Sequence, residues 1–236
     1  MIDRLKVIVS GVDVNQLLGV AKTTSSTGNA QATAVFDLMK DWKLVDRTVA
    51  MCFDTPASNT AIHKGACVLL EKKLGKKLLH FPCRHHILEL VLASVFRECM
   101  GQSSGPDIAV FKRFQSKWKT IDVSRYETGD TNQTIGMSLE GERNNLSAFI
   151  LSHLAINQPR DDYRELLQLV LIFIGEIPPN GVRFRSPGAM HHARWMAKAL
   201  YCQKIWLFKQ QFQITKQEHK GIEDVCLFIV LVYIKA

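Results

Sequence analysis

Two short stretches carry residue types that could do chemistry. The first runs from Val49 to Thr60. Its apolar run ends in a carboxylate, Asp54, and Pro56 then stops the strand. Ser58 or Asn59 can cap a helix that follows. Asp54 is therefore expected at the carboxyl end of a buried strand, where open α/β sheets place their sites. The plainer assignment is an N-cap for the next helix, since Asp is a preferred cap. The second stretch is Cys83-Arg84-His85-His86. It follows the next strand of the same sheet, so its residues should leave on the same edge as Asp54. A Cys-x-x-His pair can open a structural zinc site but lacks its second pair here. The plainer assignment is a histidine pair at a helix start, satisfied by backbone.

The elements that must position these residues follow from periodicity. Leu5–Val9 and Leu17–Val20 read as strands joined by a turn at Ser10-Gly11-Val12-Asp13. Ala30–Trp42 reads as a helix, with Ala34, Val35, Leu38 and Trp42 on one face. Arg47–Phe53 is the strand leading to Asp54. A helix over roughly residues 60–74 buries Ala66, Leu69 and Leu70 and turns Lys64, Glu71 and Lys72 to solvent. Leu78–Phe81 is a fourth strand, and a helix opens at Cys83 with Ile87, Leu90, Val91, Ser94 and Val95 inward. Two opening strands followed by alternating units imply an α/β fold with one mixed sheet over residues 5–97.

Beyond residue 100 the pattern is helical only. A loop with one short helix near Phe111–Trp118 precedes helices over Glu140–Ala155 and Asp161–Ile174. Pro178-Pro179-Asn180-Gly181 is a hard break. Ala189–Phe212 reads as a long amphipathic helix and Ile222–Ala236 as a buried one.

Composition bounds the function. The chain has 236 residues, 47% hydrophobic, enough for a real core. No P-loop, glycine-rich dinucleotide turn or GxSxG elbow is present. The longest apolar run, Val225 to Ile234, is too short to span a bilayer, so no membrane role is expected. Six cysteines without paired spacing read as reduced core thiols of an intracellular protein. The formal net charge of +8 suits a polyanionic partner. Both ends fall within apolar patterns, which suggests a fragment.

An Asp ending a strand, then Ser58-Asn59-Thr60, then Cys83-x-x-His86 followed by Leu88-x-Leu90, resembles the hAT superfamily of cut-and-paste DNA transposases. The resemblance implies an RNase H-like fold lacking its first strand, interrupted by an all-helical insertion. On that basis residues 1–100 are a partial core, 101–220 the insertion and 221–236 the start of a returning core segment. It also implies a nuclear protein with DNA as partner and no small-molecule substrate. Asp54 matches the second Asp of the Asp-Asp-Glu triad, which in the intact family ligates a divalent metal, magnesium or manganese. Cys83 and His86 match the Cys-x-x-His pair, whose His approaches the scissile phosphate. Arg194-Trp195 resembles the family's Arg-Trp pair, and its Trp stacks on an unpaired base.

The departures are as informative. The first Asp belongs on a strand upstream of Leu5, and Asp3 and Asp13 do not match it. The third carboxylate should follow the insertion, where only Glu218 and Glu223 are candidates. One matched carboxylate cannot hold two metals, so no cofactor and no catalysis are expected of this chain alone. Weak DNA binding is expected instead. Between Val182 and Lys220 there are eight Lys or Arg and one acid, a net +7. On the long helix Arg194, Lys198, Lys204 and Lys209 share one side and could contact phosphates, with Trp195 beside them. The alternatives are a solvated face on a core helix, a protein-interaction domain that keeps the fold without DNA, and a metal-dependent nuclease with a rearranged site.

Overall fold

A computed structural model describes residues 3–101, 108–156, 158, 160–188 and 194–235, with the side chains of Arg194 and Trp195 outside that description. The chain divides into two compact units, Met1–Ile87 and Leu88–Ala236.

In the first unit, β1 (Asp3–Gly11) and β2 (Val14–Thr23) form an antiparallel hairpin around a two-residue turn. Asp13 takes the left-handed conformation there, φ 57°, which Asp tolerates better than most residues. Leu5, Val7 and Val9 alternate inward with charged or exposed neighbours, the period of a half-covered strand. α1 (Gly28–Asp41) starts at Thr27, whose hydroxyl accepts the Ala30 N–H. A β-carbon on Gly19 would lie 3.0 Å from Leu38, so the missing side chain lets α1 sit close on β2.

β3 (Ala50–Phe53) and β4 (Leu79–Pro82) pair in parallel, with Cys52 opposite Phe81 and Phe53 opposite Pro82. Between them run the single-turn α2 (Ala57–Thr60) and α3 (Ala66–Leu74), the latter closed by Gly75 at φ 69°. The expected helix over residues 60–74 is thus two pieces. They part at Gly65, where a β-carbon would press on the backbone of Asn59 and Ala61.

The strands do not form the single mixed sheet that the RNase H-like expectation required. Among the described residues they form two separate two-stranded sheets, one antiparallel and one parallel. What joins them is α1: it covers β2 with Leu38 and shares a small core of Ala32, Met39, Leu70 and Met51 with α3 and β3. A helix, not a hydrogen-bond ladder, carries the connection.

α4 (Arg84–Met100) contains the division between the units. Its buried residues are Leu92 and Phe96, with Leu88, Cys99 and Met100 packed nearby. Ile87, Leu90 and Val91 are exposed, contrary to the inward face read from the sequence. Several apolar residues on successive turns allowed two helical faces, and the face with the large aromatic won.

The second unit is helical: α5 (Ala109–Lys117), α6 (Gln133–Leu139), α7 (Arg143–Ala155), α8 (Asp161–Phe173), α9 (Arg194–Leu207) and α10 (Lys216–Leu231). α9 packs on both α8 and α10. From Met196 to Phe208 only Lys198 is less than fully buried, so α9 is the central helix of the unit. Phe111 and Tyr201 stack at 4.7 Å inside this core. α10 begins earlier than the sequence suggests because Thr215 and Glu218 form a reciprocal capping box. Its Ile222, Val225, Cys226 and Ile229 belong to the same core as α8 and α9. Among the described residues no helix is long and apolar enough to cross a membrane.

Candidate functional site at the ends of the parallel strands

The parallel register decides what lies together. Because Phe53 pairs with Pro82, the next residues, Asp54 and Cys83, leave the two strands at the same end. The Cys83 N–H donates to the Phe53 carbonyl at 2.6 Å, extending the pairing by one step. His86 follows in the first turn of α4, half-buried. Asp54 and the Cys-x-x-His pair are therefore neighbours along one strand edge, as the sequence led one to expect.

Asp54 is exposed and is not a helix cap: α2 is preceded by Pro56, and no side chain caps it. The Asn59 amide instead turns back, donating to the Asp54 carboxylate at 2.5 Å and to its carbonyl at 3.2 Å. One carboxylate oxygen is thus engaged by a neutral amide. Among the described residues no three His, Cys, Asp or Glu side chains gather closely enough to hold a metal ion. The residues around Asp54 do not fit a two-metal centre. The six cysteines are free thiols; Cys67 is buried, and desolvation pushes its thiol up to about 11.

The late carboxylates have other work. Glu218 caps α10 and accepts two hydrogen bonds from the Arg113 guanidinium, at 2.8 and 2.9 Å. Glu223 faces Lys220 at 3.4 Å.

One residue that the sequence reading put in solvent is central to the geometry. Glu71 is only 6% exposed. Its Oε1 accepts the Leu78 N–H at 2.9 Å and faces His80 Nε2 at 3.1 Å, while Oε2 pairs with Lys77 at 2.9 Å. The Leu78 N–H, then Lys77 and His80, hold this carboxyl at about 2 despite its burial. Glu71 thereby fixes where β4 begins, and with it the position of Cys83 and His86 against Asp54. The sequence signal was present: a Glu six residues before Lys77-Leu78-Leu79-His80, on a helix ending in glycine.

The basic stripe of the long helix needs correction. Lys204 is 2% exposed; its ammonium lies 2.5 Å from Glu165 and donates to the Arg185 carbonyl at 2.9 Å. Burial pulls its pKa down, with Glu165 opposing. Lys209 lies 2.5 Å from Glu127 and 4.2 Å above the Trp206 ring. Neither lysine presents its charge to a phosphate. The expected helix to Phe212 ends at Leu207, so Lys209 stands in a 3-10 turn beyond it, and each of the two lysines meets an acid from a neighbouring segment. Lys198 stays half-buried, 5.9 Å from the Phe96 ring. Arg194 opens α9, but its side chain and that of Trp195 fall outside the described residues.

No family model, no curated protein and no solved structure matches this chain.

Proposed function

We propose that this chain is a hAT-transposase-like protein that binds nucleic acid and does not cleave or join it. The observation that carries the reading is the parallel β3–β4 pair, which sets Asp54 beside the Cys83-x-x-His86 turn at one strand edge. The resemblance requires that juxtaposition, and sequence order alone did not guarantee it. The proposal of inactivity rests on the motif: of the Asp-Asp-Glu triad only Asp54 is matched, its carboxylate accepts a hydrogen bond from Asn59, and two-metal phosphoryl chemistry needs several carboxylates.

A second reading, a protein-interaction domain, is favoured by the internal pairing of Lys204 and Lys209. The test that separates the readings is a plasmid assay run beside a binding titration. With magnesium or manganese the purified chain is expected to leave supercoiled plasmid intact yet retard it at low salt. Nicking that disappears in Asp54→Asn would restore catalysis. Failure to retard nucleic acid at low salt would leave the interaction reading.

A further inference from the structure

The hairpin register assigns residues to faces. Directly paired residues of an antiparallel ladder share a face. Arg4, Lys6 and Ile8 of β1 therefore lie together with Lys22, Val20 and Leu17 of β2. All six are exposed, Ile8 at 59% and Leu17 at 47%. The other face, with Leu5, Val7 and Gly19, is the one turned towards α1. Arg4 stands directly opposite Lys22, and Lys6 is the diagonal neighbour of Lys22. Like charges opposed across strands are destabilising. None of the three has an ion-pair partner among the described residues, and no acid shares their face. This contrasts with Lys204 and Lys209, each matched by its own glutamate.

We propose that this face of the hairpin grips the phosphate backbone of a double-stranded nucleic acid, a proposal that rests on the nucleic-acid reading above. Three uncompensated cations on one face of a two-stranded ribbon are complementary to a polyanion. Residues two apart on a strand are spaced about 6.8 Å, which equals two base-pair rises along the axis of B-form DNA. A two-stranded ribbon also fits the major groove, and Ile8, Leu17 and Val20 offer apolar contact to base edges there.

The experiment uses the full chain and a short fluorescein-labelled duplex, followed by anisotropy. Three phosphate contacts imply a slope of log affinity on log salt near −2.7, or about 40-fold weaker binding between about 50 and 200 mM salt. The variant R4Q/K6Q/K22Q is expected to lose that dependence. A control losing the same charge from exposed positions elsewhere in the unit, K43Q/K72Q/K73Q, is expected to keep it. Circular dichroism checks that both fold, and K6Q alone, expected to flatten the slope by about 0.9, serves if the triple variant does not. Equal losses in the two triple variants would overturn the hairpin assignment while leaving nucleic-acid binding standing. No duplex binding by the wild type at low salt would overturn both. Hairpin-dependent binding to polyglutamate but not to duplex would overturn this proposal in favour of an acidic protein partner.

Discussion

Replacing Glu71 with Gln tests whether a buried carboxylate positions the candidate site. Its carboxyl titrates at about 2, against an ordinary 4.5. A difference of that size corresponds to about 3 kcal/mol of stability. The sign follows from proton binding: between the two values the unfolded chain holds a proton that the folded one does not. The stabilisation is therefore complete above about pH 4.5 and is lost as pH falls towards 2. Lys77 is 89% exposed, so its ion pair contributes little, and the buried Leu78 N–H carries most of the effect. Gln preserves the shape and one acceptor, so Glu71→Gln should cost about 2 kcal/mol at pH 7, in the range of a hydrogen bond to a charged group. Urea unfolding of both proteins measures the gap, and hydrogen exchange over residues 66–82 locates it. The gap should hold from pH 7 to about 4.5 and shrink below. A gap equally wide at pH 2.5 and pH 7, or no gap, would refute the assignment.

Lys204→Met leaves Glu165 unpaired in a largely buried place and should cost about 3 kcal/mol by urea unfolding; the double variant with Glu165→Gln should recover most of it. Gly129→Ala would put a β-carbon 2.6 Å from the fully buried Phe173 ring, and a loss of about 1–3 kcal/mol should appear in the same assay.

Strands and helices were legible where periodicity was unambiguous. The hairpin, α1, the strand before Asp54 and α8 all stand close to where the residues put them, because apolar spacing there matches one period only. The common edge of Asp54 and Cys83 was legible too, since strand ends marked by Pro56 and Pro82 fix where each chain exits. Three things were not. Whether strands join into one sheet depends on pairing partners that a single strand's pattern does not encode. The inward face of α4 was ambiguous because apolar residues occupy two sides of it. The fate of Lys204 and Lys209 turned on Glu165 and Glu127, which lie far away in sequence. The hairpin cations had a readable signal, Arg4 and Lys6 at strand period.

Every strand among the described residues is an edge strand, since each sheet has only two. Open edges are templates for pairing with another chain. On the hairpin, Arg4, Lys6 and Lys22 place like charges along the ribbon, the pattern of gatekeeper residues. The parallel pair has no such guard: Val49-Ala50-Met51-Cys52-Phe53 is an uncharged apolar run, and Leu79 and Phe81 beside it are 62% and 54% exposed. Aggregation should therefore begin at β3–β4, and the exposed Cys52 thiol there can lock neighbouring molecules covalently under oxidising conditions. The strand pair that carries the candidate site is thus also the one expected to limit the solubility of the protein.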